Sequence, residues 1–181
     1  MAFNVNEFRT QMVGDGARPN LFEMEMPFPA FSAPANAQTK MTFMCRTTQL
    51  PGVTLGVVPV TYFGRELKFL GNRTFADLTV TVINDEDFVA RNAMERWTNG
   101  LNSHSLNVRN PAALAPLGYS VDAKVTQFGK TGEELKKYKF IGMYPYDISP
   151  IDVDWGANDQ IEEFTVTLAY QWWEAEEAGV V

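Results

Sequence analysis

Several stretches of the chain alternate between apolar and polar residues, which is the pattern of β-strands buried on one face. The clearest stretch covers residues 75–83, where Leu78, Val80 and Val82 alternate with polar residues. The same alternation occurs in residues 22–26, 41–46, 119–126, 135–144 and 161–173. We predict a strand in each of these segments, with residues 41–46 as the hairpin partner of residues 22–26.

One internal stretch repeats apolar residues at helical spacing. Val89, Ala93 and Trp97 follow one another at intervals of four residues, which predicts a helix over about 86–98. Asn84 precedes three acidic residues and is expected to cap the start of this helix.

A shorter helical pattern lies near the N-terminus. Val5, Phe8 and Met12 share one face of a predicted helix over about 5–13, and a capping-box spacing begins at Asn4. A helix of this length is marginal alone. We therefore expect it to pack on the core of its own chain.

Prolines and glycines mark the connections between these elements. Residues 27–38 contain three prolines, which cannot donate to a strand ladder, and this predicts a loop. Residues 50–69 predict two extended pieces on either side of Gly64, and Pro59 places the first piece at an edge or in a protruding loop. We also predict turns at Gly71–Asn72 and over residues 129–132, and a loop over residues 100–118.

This order of elements predicts a mainly β protein: an antiparallel β-barrel or sandwich of about seven strands, with one flanking helix and the short N-terminal helix. The 181 residues fit a single domain, 1–181, without an internal repeat or a linker. No apolar run approaches the roughly 18 residues that a membrane helix needs. The start of the chain lacks the basic and apolar regions of a secretory signal.

The chain is acidic, with 22 Asp and Glu against 15 Lys and Arg and a net charge of −7. The excess lies from Asp147 onward, where nine acidic residues and no Lys or Arg occur, and it includes an acidic tail over residues 174–181. Such a chain is not expected to grip nucleic-acid phosphates over its whole surface. Lys136, Lys137 and Lys139 suit either a phosphate contact or, as we favour, an edge strand protected from aggregation.

Few residues could support catalysis or metal binding. Cys45 and His104 are the single cysteine and histidine, and Cys45 has the sequence surroundings of a buried apolar residue. Asp152, Asp154 and Glu163 resemble part of a calcium-binding loop but lack the glycine of its sharp turn. We therefore expect no catalytic, cofactor or metal site.

The remaining conspicuous features are candidate interaction surfaces. The loop over 27–38, the segment around Pro59 and the acidic tail with Trp172 and Trp173 are rich in apolar or aromatic residues. They have no evident place in one small core. This profile favours a protein that buries surface against copies of itself.

A series of short motifs is more specific. In chain order they are ARPNLF at 17–22, CR at 45–46, LPG at 50–52, PV at 59–60, GNRTF at 71–75, TVTV at 79–82, NDE at 84–86, DW at 154–155, QI at 160–161 and FTVTL at 164–168. In this order and spacing the chain resembles the tail tube proteins of T4-like contractile-tailed bacteriophages, over about residues 15–173. These are related to the tube proteins of type VI secretion systems and pyocins.

The resemblance implies a structural virion protein without enzymatic activity, located in the phage tail after assembly in the host cytoplasm. Members of the family form hexameric rings that stack into the inner tube of the tail, the conduit for DNA ejection. The implied partners are other copies of the chain, the tail sheath protein, the baseplate tube initiator, the tape measure protein and the tail terminator. DNA passes through the lumen without specific binding, and no membrane or cofactor is implied.

The resemblance also implies which residues make contacts. Residues 50–69 are expected to form an arm that touches the next ring, and the N-terminal helix and the acidic tail are expected to add further contacts. Thr79 and Thr81, or the matching faces of the other long strands, are expected to line the lumen. The full set expected at contacts between subunits or rings is Arg18, Pro19, Asn20, Leu50, Pro51, Gly52, Pro59, Arg65, Arg73, Asp85, Asp154 and Trp155.

Two alternative functions remain open at this point. Residues 5–8 and 64–67 also resemble the related baseplate protein that starts the tube, although that protein is larger than this chain. A small binding module or hydrolase using Cys45 or His104 is the alternative from another class. The 27–38 loop is longer than in the family pattern, so it could lie on the outer surface facing the sheath or at a ring interface.

Overall fold

A computed structural model of the chain describes residues 5–32, 34 and 36–177. Within this part the strands are β1 (Phe22–Glu25), β2 (Cys45–Thr47), β3 (Val53–Tyr62), β4 (Arg65–Phe75), β5 (Leu78–Ile83), β6 (Val121–Phe128), β7 (Glu134–Ile148), β8 (Glu163–Ala169) and β9 (Trp172–Glu177). The helices are α1 (Val5–Gln11), α2 (Ala37–Met44), α3 (Val89–Leu101) and α4 (Pro116–Tyr119), with 3₁₀ turns at Val13–Asp15 and Pro111–Ala113. Each helix among these residues is too short or too polar to cross a bilayer.

Seven strands form one antiparallel sheet in the order β1-β6-β7-β8-β5-β2, with β9 also paired to β7. β7 takes part twice, because its first part pairs with β6 and β9 and its last residues pair with β8. Gly142 lies where the partner changes and has a left-handed φ of 67°, a conformation that glycine adopts without steric cost. The sheet therefore bends into a nearly closed barrel.

The core lies between the concave face of this sheet and helices α2 and α3. Alternate residues of the strands are buried there, together with Met41 from α2 and Met94 and Trp97 from α3. The Trp97 indole Nε1–H donates to the Tyr119 carbonyl oxygen at 2.8 Å, and the Phe28 ring packs edge-on against it with centroids 5.7 Å apart. The predicted fold class, a mainly β barrel with a flanking helix, is confirmed.

The 27–38 segment is irregular up to residue 36 where it is described, in agreement with the predicted loop. Phe28 and Phe31 pack against the core, and Ser32 is buried with its hydroxyl donating to the Pro29 carbonyl oxygen. Ala33 and Ala35 lie outside the described residues. The aromatic residues of this loop are therefore used within the chain.

The strand predicted over residues 41–46 is wrong up to Met44 and forms only at Cys45–Thr47. Residues 37–44 form α2, β2 pairs with β5 instead of forming a hairpin with β1, and β1 pairs with β6. Ala37 and Met41 are buried one helical turn apart, and Lys40, directly before Met41, forms ion pairs with Asp85 and Asp87. Alternation of Met41 and Phe43 suggested a strand, but helical burial of Ala37 and Met41 decides the local structure.

The other corrections concern boundaries within the sheet. The strand predicted over 161–173 is interrupted at residues 170–171, where the Gln171 N–H donates to the Ile141 carbonyl oxygen at 3.0 Å. Lys136, Lys137 and Lys139 do not protect an edge, because β7 lies between β6 and β9. Strands β7 and β9 carry opposite charges at paired positions, since Lys137 faces Glu176 and Lys139 faces Glu174.

Helix α3 begins at Val89, three residues later than predicted, and Asn84 does not cap it. The Asn84 side chain is buried and donates to Glu162 Oε2 at 3.0 Å, while Asp87 Oδ1 accepts the Val89 N–H at 3.2 Å. At the other end of the chain, α1 forms as predicted but buries none of its residues. Its expected packing on the core is therefore wrong, and Asn4 lies outside the described residues.

We predict that Trp97→Ala lowers the free energy of unfolding by about 3–5 kcal/mol, because it removes a fully buried ring and leaves a cavity. It also leaves the Tyr119 carbonyl oxygen without its indole donor. Denaturant unfolding of the unassembled chain measures the change. Trp155→Ala is the matched control, since Trp155 is fully exposed and its loss is expected to change stability by less than about 0.5 kcal/mol. Equal losses in the two variants would contradict the proposed core.

Candidate assembly surfaces

The hairpin of β3 and β4, residues 53–75, forms a two-stranded sheet separate from the barrel, and we call it the arm. Its register pairs Val53 with Phe75 at the base and Tyr62 with Arg65 at the tip. At the base, the Trp173 Nε1–H donates to the Gly52 carbonyl oxygen at 3.2 Å. The arm includes most of the segment expected to contact other subunits and extends beyond it to residue 75.

The arm leaves its side chains exposed on both faces. Its exposed large apolar residues are Val53, Leu55, Val57, Val58, Val60, Tyr62, Phe63, Leu67, Phe69 and Leu70. An isolated two-stranded hairpin is only marginally stable in water, and apolar patches of this kind mark interaction sites. The arm is therefore built to be covered by another surface.

Gly71 and Asn72 lie inside β4, so the turn predicted there is wrong. The arm has an irregular register between Leu55 and Val57, and at this point the backbones of Gly56 and Gly71 approach closely. A Cβ added at Gly71 would lie 2.8 Å from the Gly56 carbonyl carbon. Gly71 is required because a side chain there would clash with the backbone of Gly56, whereas a Cβ at Gly56 would lie 3.3 Å from the Asn72 carbonyl oxygen, a tight contact.

The tip of the arm combines a strained turn with an exposed aromatic ring. Phe63 and Gly64 have φ angles of 44° and 81°, the left-handed geometry of a two-residue hairpin turn that favours Asn-Gly. Phenylalanine is unfavourable at such a position. Its ring is 90% exposed and packs only edge-on against Tyr62, with centroids 4.5 Å apart. The chain thus presents an aromatic side chain at the tip despite a conformational cost.

A second exposed surface is the segment of residues 150–162, which we call the acidic loop. It connects β7 to β8 and contains Asp152, Asp154, Asp159 and Glu162 without any basic residue. Trp155 is fully exposed, and Val153 and Ile161 are largely exposed. Asp154 Oδ1 accepts the Gly156 N–H at 2.9 Å, which fixes the turn that carries Trp155. The loop and the start of β8 border a cavity of about 400 Å³.

Helix α1 and the turn before β1 form a third region. Val5, Phe8 and Val13 are largely exposed. The Arg18 carbonyl oxygen accepts the Leu21 N–H at 3.3 Å, and Pro19 and Asn20 are exposed in the same turn. This turn borders a cavity of about 340 Å³ shared with the β6–β7 connection.

The structure groups the residues that the sequence nominated for contacts into four places. Pro59, Arg65 and Arg73 are exposed on the arm, with Leu50, Pro51 and Gly52 at its base; Arg18, Pro19 and Asn20 precede β1; Asp154 and Trp155 lie in the acidic loop; and Asp85 lies between β5 and α3. The carboxylate of Asp85 lies 2.6 Å from Lys40 Nζ and joins α2 to the start of α3. Asp85 therefore already has a role within its own fold.

Sequence reasoning missed two of the strongest surface features. It named neither Phe63 nor the apolar residues Val153 and Ile161 beside the predicted pair Asp154 and Trp155. The signal for Phe63 was present, since a residue before Gly64 between two extended pieces occupies a hairpin turn. The exposure of Val153 could not be read from a segment without periodicity, and the alternation over residues 161–173 placed Ile161 in a strand that begins only at Glu163.

Thr79 and Thr81, the candidates for the lumen, lie on the face of β5 opposite the core. They pair with Thr167 and Thr165 of β8, and all are partly exposed. The result is a hydroxyl-rich face that carries no charge at these positions.

Cys45 and His104 are poorly suited to catalysis. Burial raises the pKa of the Cys45 thiol to about 12, so the nucleophilic thiolate is scarce near neutral pH. The thiol contacts Met24 Sδ at 3.9 Å and the Thr47 carbonyl oxygen at 3.7 Å, whereas His104 is exposed in the connection after α3. Among the described residues, no cluster of three or more His, Cys, Asp and Glu side chains is arranged to hold a metal ion.

The sequence matches the family described as "Phage tail tube protein" over residues 17–176. It is 32% identical over 162 residues to the tail tube protein gp19 of Enterobacteria phage T4, covering 89% of this chain and 93% of that protein. It is 30% identical over 168 residues to a tail tube protein of Serratia phage KSP90, covering 92% and 93% respectively. These matches confirm the resemblance seen in the motifs.

Solved structures with the same fold come from contractile assemblies. A chain in the anti-feeding prophage baseplate has a TM-score of 0.64 at 14% identity, over 91% of this chain and 98% of that one. A chain of the PVC sheath–tube complex in its extended state has a TM-score of 0.58 at 14% identity, over 98% and 100%. At this identity the likeness concerns the fold alone. The family match and the sequence relatives show that the chain belongs to the phage tail tube protein family and is a structural protein of a contractile phage tail.

Proposed function

We propose that this chain forms hexameric rings that stack into the inner tube of the tail, and that DNA leaves the capsid through the tube. The observation that carries the proposal is the arm, whose apolar side chains are exposed on both faces of a two-stranded sheet. A contact between an arm and a different surface of another copy is heterologous, and heterologous contacts generate filaments when they do not close.

The barrel supplies support for closing a ring. Within the described residues, β1 and β9 each pair on one side only, with β6 and β7 respectively. An unpaired strand edge is a template for pairing with another chain. Joining the edges of neighbouring copies would remove these exposed edges and make one continuous wall around a lumen.

For the lumen we propose the face that contains Thr79 and Thr81. Its neutral hydroxyl groups offer no cation to hold a phosphate, and the net charge of −7 disfavours general adhesion of DNA. DNA would then slide without specific binding. The same reasoning assigns the protein no enzymatic step in ejection.

The proposed partners follow from the tube itself. We propose contacts with the tail sheath protein outside the tube, the tape measure protein inside it, the tail terminator at one end and the baseplate tube initiator at the other. Support comes from the related assemblies, since fold neighbours come from a sheath–tube complex and a sheath/tube terminator of an extracellular contractile injection system. Helix α1 and the acidic tail offer exposed surface for such contacts, although residues 178–181 of the tail lie outside the described residues.

Electron microscopy of the concentrated pure protein tests the proposal. We expect rings or tubes with six subunits per ring, because the exposed arm and strand edges become buried on assembly. An initiator protein would give single rings that do not extend. A persistent monomer, even when baseplate and sheath are added, would contradict both readings.

We predict that Pro59→Ala and Arg73→Ala reduce tube assembly more than they reduce folding, because both side chains are exposed on the arm. Thermal melting of the unassembled variants measures folding, and sedimentation of tubes measures assembly. Arg96→Ala is the control for the lost positive charge, since Arg96 is exposed on α3. Parallel losses of melting temperature and tube yield would remove the claim.

Phe63→Asn is predicted to separate the effect on tube assembly from the effect on folding more sharply. Asn-Gly is the favoured pair for this turn, so the melting temperature of the unassembled variant should be unchanged or higher. Loss of an anchoring ring should lower tube yield by about tenfold or more. Phe43→Asn is the control, because Phe43 is also exposed but lies on α2. Normal tubes from Phe63→Asn would show that the ring is not an anchor.

A further inference from the structure

The charges of the arm and the acidic loop are opposite. The arm carries Arg65, Lys68 and Arg73 against a single acid, Glu66. The acidic loop has four acids and no base. Both surfaces are exposed in the isolated chain, so neither is covered by the other within one copy.

None of the three arm bases forms a salt bridge with any residue in the described part of its chain. The same holds for the exposed Asp152 and Asp159 of the acidic loop, whereas Glu162 is already engaged by Asn84. Both sets of charges are therefore available to a partner without breaking an existing ion pair.

The apolar residues on the two surfaces also match in their arrangement. Pro59 pairs with Lys68 and Val57 pairs with Leu70 across the arm, so these four side chains share one face. Arg73 lies at the base of the same hairpin. On this face, Leu70 stands between the basic residues Lys68 and Arg73 along β4, and the acid Glu66 lies beyond Lys68 toward the tip.

The acidic loop repeats this arrangement with the opposite charge. Val153 stands between Asp152 and Asp154, and the fully exposed Trp155 follows directly. The cavity of about 400 Å³ beside these residues is lined by Ile151 and Ile161 as well as by carboxylates. This open space is large enough for a side chain from a partner, and both aliphatic and acidic groups line it.

We propose that the Lys68 face of the arm docks on the acidic loop of a second copy of this chain. Apolar contact of Leu70 and Val57 with Val153 and Trp155 supplies the buried area, and the flanking opposite charges fix the register. This proposal rests on the proposed tube. It identifies the two surfaces through which the arm of one copy contacts the next copy.

A charge-swap experiment tests this contact in the full chain. One variant carries Lys68→Glu and Arg73→Glu, a second carries Asp152→Lys and Asp159→Lys, and a third carries all four substitutions. Each two-substitution variant should reduce tube yield by about tenfold or more, since it sets like charges against each other at the contact. The four-substitution variant restores opposite charges and should recover most of the lost yield.

Arg96→Glu together with Arg109→Glu is the matched control for the arm variant, because it makes the same change in net charge on exposed residues outside both surfaces. Melting of the unassembled variants verifies that each one folds. Tube yield and its salt dependence are then compared by sedimentation and electron microscopy.

Three results would overturn the docking: wild-type yield from either two-substitution variant, no recovery in the four-substitution variant, or a loop variant that forms normal tubes but no longer binds sheath. The last result would assign the acidic loop to a different protein. In each case wild-type tubes would leave the proposed function intact. Failure of the wild-type chain to form tubes would overturn the proposed function and this contact together.

Discussion

The arm cannot bury its own apolar side chains, and the rest of the molecule is arranged around that constraint. A barrel solves the same problem internally, because its curved sheet covers one face with α2 and α3. A two-stranded sheet has no second layer, so its valines, leucines and aromatic residues remain in water until another chain covers them. The exposed Phe63, held at a strained backbone position, extends this dependence to the tip. Assembly is therefore a condition for burying the arm.

The barrel also determines where the arm stands. β7 carries β9 on its first part and β8 on its last residues, and the break at residues 170–171 marks the change. The arm meets the barrel at this break, since Phe75 packs near Tyr170 and Trp173 bonds to the Gly52 carbonyl oxygen. The barrel strands thus hold the arm at its base. The pairing of β5 with β8 ends just before this break. After it, β9 pairs with β7 on one side, and its other edge is unpaired among the described residues.

Alternation located most of the sheet from sequence because one face of each strand is buried, but it failed where another constraint acts. Residues 37–44 fit strand spacing at Met41 and Phe43 and helix spacing at Ala37 and Met41, and packing of this segment against α3 and β1 decides between them. Gly71 was taken for a turn because glycine is common there, whereas close approach to Gly56 is the reason for it. The contact residues came from the family resemblance. Their grouping on the arm and the acidic loop required the fold, since the arm ends at residue 75 and the acidic loop begins at residue 150.

The acidic balance of the chain has a more specific meaning once the strands are placed. Glu174 and Glu176 of the tail face Lys139 and Lys137 across the β7–β9 pair, so their charge is partly compensated within the chain. Asp152 and Asp154 have no such partner in the described part of the chain, and the bases of the arm are in the same situation. Free opposite charges on two separate exposed surfaces favour association of copies in one direction. Under the proposed assembly, part of the net charge of −7 would serve contacts between copies, and only the remainder would act on DNA in the lumen.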